Sequence, residues 1–92
     1  SFNDAKTNSA ALAQIMSKDY NKAKSTLEAV TNPDAYTSYL KAVVGARTNN
    51  ASMVVSNLAK AVKEDASLAQ KAMKDAEFAK YLTNADFLNA LK

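Results

Sequence analysis

The chain of 92 residues contains no cysteine, histidine or tryptophan, and it has only one glycine and one proline. Without thiols and imidazoles it lacks disulfides, a thiol nucleophile, the commonest general base and the usual transition-metal ligands. A single glycine and a single proline leave little material for the tight turns of β-hairpins. These absences disfavour enzyme chemistry, and we expect neither catalytic residues nor a cofactor or metal.

Alanine is the most frequent residue of the chain. The composition is 48% hydrophobic and 23% charged. Alanine has the highest helix propensity, and this balance of apolar and charged residues is typical of globular domains. The length corresponds to one domain. The composition therefore predicts a single all-α domain over residues 1–92.

The positive charge of the chain is not clustered. Lysine and arginine exceed aspartate and glutamate by 12 to 9, for a net charge of +3, but acidic residues are interspersed, as where Lys60 and Lys63 adjoin Glu64 and Asp65. A nucleic-acid surface requires a concentrated basic patch. We therefore expect no nucleic-acid partner. Nucleic-acid binding is kept as the weakest of three hypotheses for the function, and it would be recognised by an affinity that falls steeply with salt concentration.

The longest apolar run and the start of the chain indicate whether it crosses a membrane and whether it carries a targeting signal. The run 42–46 is far shorter than the ~20 residues that span a bilayer, so no transmembrane segment is predicted. The chain begins at Ser1 without an initiator methionine or a signal-like apolar stretch, which indicates a piece of a longer protein.

Apolar residues recur with helical periodicity in four successive stretches, which predicts four amphipathic helices. The best-defined helix follows Pro33, which we place at the first helical position with Asn32 as its N-cap. Beyond residue 64 the pattern Asp/Asn-Ala-x-Leu/Phe occurs three times, starting at Asp65, Asp75 and Asn84. Each occurrence predicts the capped start of a short helix whose large apolar residue turns inward.

The chain also resembles itself when it is shifted so that Ala23 falls on Val54 and Leu27 on Leu58. We call this shift the repeat offset. It also places Ala11 on another small residue, Ala42, and small residues there would allow two antiparallel helices to approach closely. Self-similarity at a fixed offset is typical of stacked repeats.

The segment 19–23, with its aromatic residue, followed by Leu27 and Val30, resembles the second helix of a tetratricopeptide repeat (TPR). The repeat offset is about three residues shorter than the ~34-residue repeat of that family. The resemblance implies a right-handed stack of two TPR-like helical hairpins, closed by short C-terminal capping helices. The implied bounds are about 5–31 for hairpin 1, about 33–64 for hairpin 2 and about 66–91 for the capping helices.

Residues 57–78 are further similar to the end of TPR-like regions in cell-envelope proteins of Bacteroidetes-type bacteria. In those proteins proline often follows each capping aspartate, where this chain has alanine. The similarity implies a periplasmic or outer-membrane-associated location. In the family, the first helix of each hairpin lines a concave groove that binds a protein or peptide. The candidate groove residues carried over in this way are Asn8, Tyr36, Tyr39, Val43 and Arg47, with Ala5, Leu12, Ile15 and Met16 beside them.

Two hypotheses for the function rank above nucleic-acid binding. In the first, the chain is a non-enzymatic protein-interaction or assembly module, and Tyr36 and Arg47 are contact residues of the kind that dominate interface energetics. In the second, it is a purely structural spacer or terminal cap of a larger envelope-associated protein. Tyr39 shares an apolar stripe with Leu40 and Val43, so we expect its ring to lie partly in the core.

Overall fold

The computed structural model describes residues 7–92, which form six α-helices and one 3-10 helix and contain no strand. The predicted all-α fold is confirmed. Within the same residues, no helix is both long enough and apolar enough to cross a bilayer. The α-helices are α1 (Asn8–Met16), α2 (Tyr20–Glu28), α3 (Ala35–Arg47), α4 (Ala51–Glu64), α5 (Ser67–Lys74) and α6 (Ala85–Ala90), and the 3-10 helix spans Ala76–Tyr81.

The helices pack as two antiparallel hairpins, α1 with α2 and α3 with α4, and a closing segment, which comprises residues 65–92. Helix α1 packs on α2 and α3 packs on α4, while α3 also contacts both helices of the first hairpin. The 3-10 helix packs on α3, whereas α5 and α6 pack on α4. One cluster of buried residues runs from Ala11 through both hairpins to Phe87, so the hairpins and the closing segment share a single core.

The turn between α1 and α2 is a Schellman motif. Lys18 has a left-handed backbone with φ of 65°. Its N–H donates to the carbonyl oxygen of Ile15 at 3.0 Å, and the N–H of Asp19 donates to that of Gln14 at 2.9 Å. These two bonds satisfy carbonyls that the end of a helix leaves unpaired. The Asp19 carboxylate then accepts the N–H of Lys22 and caps α2.

The turn between α3 and α4 repeats this geometry. Asn49 is left-handed with φ of 59°, and its N–H donates to the carbonyl oxygen of Ala46. The N–H of Asn50 donates to that of Gly45 at 2.8 Å, and the Asn50 side chain accepts the N–H of Met53. Every donor and acceptor is separated from its counterpart in the first turn by the repeat offset, so the offset read from the sequence also holds for the backbone of the two turns.

The predicted start of α3 is wrong by two residues. The N-cap is Asp34 rather than Asn32, and Pro33 lies before the cap instead of in the first helical turn. The Asp34 carboxylate accepts the N–H of Thr37 at 3.0 Å, while the Thr37 hydroxyl accepts the N–H of Asp34 at 3.0 Å. This reciprocal capping box requires a polar side chain three residues after the cap. For Asn32 that residue would be Ala35, which has none.

The predicted caps of the closing segment hold at two of the three positions. Asp75 and Asn84 are N-caps, and their side chains each accept a backbone N–H from the helix that follows. Asp65 lies one residue before the N-cap of α5, which is Ala66, but its carboxylate still accepts the N–H of Ser67 at 3.1 Å. The large apolar residue of each pattern is buried, as predicted; these residues are Leu68, Phe78 and Phe87.

Candidate functional site

Part of the α3 face that is predicted to line a groove is covered by the chain's own 3-10 helix. Tyr39 and Val43 are only 2% and 5% exposed. The Phe78 ring meets the Tyr39 ring edge-on, with centroids 5.5 Å apart, and the Tyr39 hydroxyl donates to Asp75 Oδ2 at 2.6 Å. Tyr39 and Val43 therefore lie in the core and present no surface to a partner.

Burial and the bond to Asp75 also set the chemistry of Tyr39. Burial disfavours the charged phenolate, and the hydrogen bond to the Asp75 carboxylate requires the proton, so both raise the pKa of Tyr39. The Lys71 ammonium lies 5.8 Å from the centre of the same ring. Tyr39 therefore acts as a hydrogen-bond donor that fixes the 3-10 helix, since its phenolate does not form near neutral pH.

Arg47 is engaged within the molecule in a similar way. Its Nε donates to Glu77 Oε1 at 2.8 Å, and its Nη2 forms an ion pair with Glu77 Oε2. Its Nη1 donates to the Tyr20 hydroxyl at 3.3 Å, and the guanidinium lies over the Tyr20 ring. The hydrogen bonds to Glu77 and Tyr20 raise the pKa of Arg47. Arg47 thus joins α3 to the start of α2 and to the 3-10 helix.

Asn8 connects the beginnings of α1 and α3. Its Nδ2 donates to Asp34 Oδ1 at 3.1 Å, and its Oδ1 accepts the Thr37 hydroxyl at 2.8 Å. The backbone N–H of Thr37, the Asn8 amide and the Thr37 hydroxyl all favour the ionised carboxylate, and they lower the pKa of Asp34. Asn8 is half-buried. Because its amide bonds to Asp34 and Thr37, it links the two hairpins.

Tyr36 is the predicted groove residue that keeps the largest accessible surface on α3. Its side chain is 36% exposed. The ring stacks on that of Tyr39 with centroids 6.1 Å apart and planes 12° apart. One ring therefore lies in the core while the ring stacked on it contacts solvent.

Helix α1 carries the other accessible residues of the predicted groove. Leu12 and Met16 are 36% and 59% exposed, whereas Ile15 is buried. Residues 7–17 contain no Asp, Glu, Lys or Arg, so the exposed side of α1 is uncharged. Ala5, also assigned to this groove, lies outside the described residues.

The remaining surface offers shallow hollows. One of about 350 Å³ lies between α2 and α4 and is lined by Lys24, Glu28 and Lys41 among others. A second, of about 290 Å³, lies between α4 and α6. Among residues 7–92 no three acidic side chains converge as metal ligands would.

Sequence reasoning missed the contacts that Asp75, Glu77 and Tyr20 make on this face. Their partners lie between 27 and 36 residues away in the chain, so no local pattern pairs them. The usable signal was the set of inward-turned apolar residues in the predicted capping helices, which did not indicate the helix that they cover. The structure places the 3-10 part of the closing segment on α3.

The comparisons with known proteins supply no relative. The sequence matches no protein-family model, no curated protein and no solved structure.

Proposed function

We propose that the chain is a non-enzymatic protein-interaction or assembly module, a TPR-like right-handed stack of two helical hairpins closed by the C-terminal helices. The observation that carries the proposal is the identical hydrogen bonding of the two hairpin turns at the repeat offset. A repeated, rigid hairpin presents side chains at constant spacing. Because no loop must become ordered on association, the entropic cost of binding is limited.

The partner is a protein or peptide that binds where α1 and the first turn of α3 remain accessible. Leu12, Met16 and Tyr36 supply exposed apolar surface there. Interface cores are depleted of charged residues and enriched in methionine and tyrosine. The exposed side of α1 is uncharged and carries methionine and leucine, whereas lysines occur along α2, α4 and α5, and both α2 and α4 end in a glutamate.

Selection from a displayed library of random peptides tests this proposal. Immobilised chain should enrich peptides that bind saturably with one-to-one stoichiometry in calorimetry. Tyr36→Ala should weaken that binding by roughly tenfold, the loss of one moderate interface contact of about 1.4 kcal/mol. Lys60→Ala, at an exposed position on α4, is the matched control and should leave affinity unchanged. Failure of the library to yield a saturable binder would contradict the proposal.

The covering of α3 favours a second candidate function, that of a structural terminal cap or spacer. Repeat stacks need terminal elements that cover the apolar face of their last unit. The 3-10 helix and α6 do so with the buried rings of Phe78 and Phe87. A chain that folds cooperatively yet selects no peptide from the library would support this function over the first.

A further inference from the structure

The two residues between α4 and α5 differ in backbone geometry. Asp65 is extended, with φ of −145° and ψ of 98°, whereas Ala66 is already helical, with φ of −60° and ψ of −24°. The N–H of Asp65 still donates to the carbonyl oxygen of Ala61 at 2.8 Å, as it would inside an α-helix. A single residue therefore bends the chain here, and we call Asp65 and Ala66 the α4/α5 break.

The sequence around the α4/α5 break is compatible with a continuous helix. Residues 51–74 contain neither glycine nor proline. None of them has a positive φ, whereas Lys18 and Asn49 in the two hairpin turns do. Residues 63–67 are all exposed, so a rotation at Asp65 meets no buried side chain. Residues 51–74 can therefore form one helix about 36 Å long.

The bonds that keep the break bent are local. The Asp65 carboxylate accepts the N–H of Ser67 at 3.1 Å and the Ser67 hydroxyl at 2.7 Å. The break before the 3-10 helix is different, because the Asp75 carboxylate accepts the Tyr39 hydroxyl of α3 as well as the N–H of Glu77. The bend at Asp65 can thus open while α5 and the 3-10 helix keep their own shape.

The contacts of the closing segment beyond the break are ones that a second copy of the chain can supply. The Phe78 ring meets Tyr39 edge-on, and Glu77 forms an ion pair with Arg47, so both partners lie on α3. The buried ring of Phe87 is carried by α6, which packs on α4. Every other copy presents the same surface. Exchange would replace each contact by an identical one and would change only the α4/α5 break.

We infer that the α4/α5 break is a hinge at which two copies of the chain exchange their closing segments, from Ser67 onward, to form a domain-swapped dimer. In the dimer, residues 51–74 are one helix, and Phe78 and Phe87 of each copy are buried in the other. A single open chain would expose both rings to water, so the open form requires a second copy to cover them. The inference is independent of the proposed interaction function.

Two substitutions at the break should shift the exchange in opposite directions. Asp65→Ala removes the carboxylate that bonds to Ser67 and places a stronger helix former at the hinge. We expect it to favour the open form by about tenfold per copy, and the dimer by about 100-fold. Ala66→Pro fits the present φ of −60°, but a proline inside the continuous helix would lose a hydrogen bond and clash with the preceding turn. It should keep the chain monomeric.

Size-exclusion chromatography with light scattering measures the dimer after each full-length chain is unfolded in urea and refolded at millimolar concentration. The dimer fraction should rise from Ala66→Pro through the unmodified chain to Asp65→Ala. Asp34→Ala is the matched control, because it also removes a helix cap while Pro33 prevents α3 from extending backwards. It should not raise the dimer fraction.

Complementary charge variants distinguish exchange from ordinary surface association. In the Asp65→Ala background, Arg47→Glu and Glu77→Arg each place two like charges together within one chain. In an exchanged heterodimer, Glu77 of the first variant lies against Arg47 of the second, and the reversed pair forms at the other site. Native mass spectrometry of the refolded mixture should show the heterodimer in at least about a tenfold excess over either homodimer.

A second measurement requires no change of charge. A dimer refolded from isotope-labelled and unlabelled Asp65→Ala chains should show the contact between the Phe78 and Tyr39 rings between chains in isotope-filtered NMR. Restriction of that contact to single chains would contradict the exchange.

The inference is overturned if Asp65→Ala stays monomeric, if Ala66→Pro dimerises as readily as the unmodified chain, or if the charge variants form no excess of heterodimer. It is also overturned if Asp34→Ala raises the dimer fraction as much as Asp65→Ala does, because loss of any cap would then suffice. None of these results bears on whether the chain selects peptides from the random library.

Discussion

Lys18 occupies the left-handed position of the first hairpin turn, with φ of 65°. An L-residue with a Cβ adopts this conformation at a cost of about 1–2 kcal/mol, whereas glycine adopts it freely and loses about 0.5–1 kcal/mol in chain entropy. We therefore predict that Lys18→Gly raises the free energy of unfolding by about 0.5–1 kcal/mol. Urea denaturation followed by circular dichroism measures the change.

Asn49 provides the matched control for this prediction, because it holds the equivalent position with φ of 59°. Asparagine tolerates the left-handed region better than lysine does, and the Asn49 side chain also accepts a hydrogen bond from Lys80. Asn49→Gly should therefore give no gain or a small loss. Equal stabilisation by both substitutions would show that left-handed strain at Lys18 is not the cause.

The hydroxyl of Tyr39 connects the core of α3 to the closing segment, through its 2.6 Å bond to Asp75. Hydrogen bonds to charged groups contribute about 1.5–3 kcal/mol, and the partial exposure of Asp75 places this bond at the lower end. We predict that Tyr39→Phe lowers the free energy of unfolding by about 1.5 kcal/mol, measured by urea denaturation. Tyr36→Phe, on the stacked and exposed ring, should change it by less than about 0.5 kcal/mol.

The same hydroxyl predicts a dependence on alkaline pH. Burial and the bond to Asp75 raise the pKa of Tyr39 above its ordinary value of 10.0. Because the folded-state pKa exceeds the unfolded one, the contribution of Tyr39 to stability is fully present below about pH 10 and is lost as pH rises further. The difference in unfolding free energy between the unmodified chain and Tyr39→Phe should shrink as the pH is raised from about 9 to about 11. A constant difference across this range would contradict the raised pKa.

At the scale of the helices, Gly45 determines how closely α3 and α4 pack. A Cβ added there would lie 3.0 Å from Met53 Cβ and 3.0 Å from the backbone nitrogen of Val54. Overpacking costs about 1–3 kcal/mol, while alanine gains about 1 kcal/mol in helix propensity. We predict that Gly45→Ala destabilises the chain by about 1 kcal/mol, measured by thermal or urea unfolding.

Ser56→Ala isolates the propensity term of this prediction. Ser56 is exposed on α4, so its replacement should change stability only through the higher helix propensity of alanine, a gain of up to about 0.5 kcal/mol. If Gly45→Ala is also stabilising, α3 and α4 are not in the close contact that the structure describes.

The helix starts illustrate what local sequence predicts well and where it fails. Asp75 and Asn84 were identified as caps because each has a short polar side chain directly before an apolar helical turn. The cap of α3 was misplaced because Pro33 and Asn32 form an equally plausible start. Only the side chain of Thr37, which reaches back to Asp34, distinguishes the two.

At the scale of the whole molecule, the closing segment completes the core. Phe78 and Phe87 are both fully buried, and replacing one such ring by alanine costs about 3–5 kcal/mol. Losing both would remove most of the roughly 5–15 kcal/mol that typically stabilises a domain. We predict that deletion of residues 75–92 abolishes cooperative unfolding, as measured by circular dichroism during a thermal ramp.

Leu88→Ala is the control for the deletion, because Leu88 belongs to the same segment but is 37% exposed. This variant should unfold cooperatively with a stability close to that of the unmodified chain. A shortened chain that still unfolds cooperatively would show that residues 75–92 are an appendage rather than part of the core.

The sequence by itself determined the all-α class, the helical periodicity and the caps at Asp75 and Asn84, because these depend on interactions between residues within about four positions of one another. It also carried the repeat offset, at which the two turns have the same hydrogen bonds. Only the tertiary structure decided which predicted groove residues remain accessible. Tyr39 and Arg47 find their partners Asp75 and Glu77 at separations of 36 and 30 residues, and contacts at that separation depend on the path of the whole intervening chain.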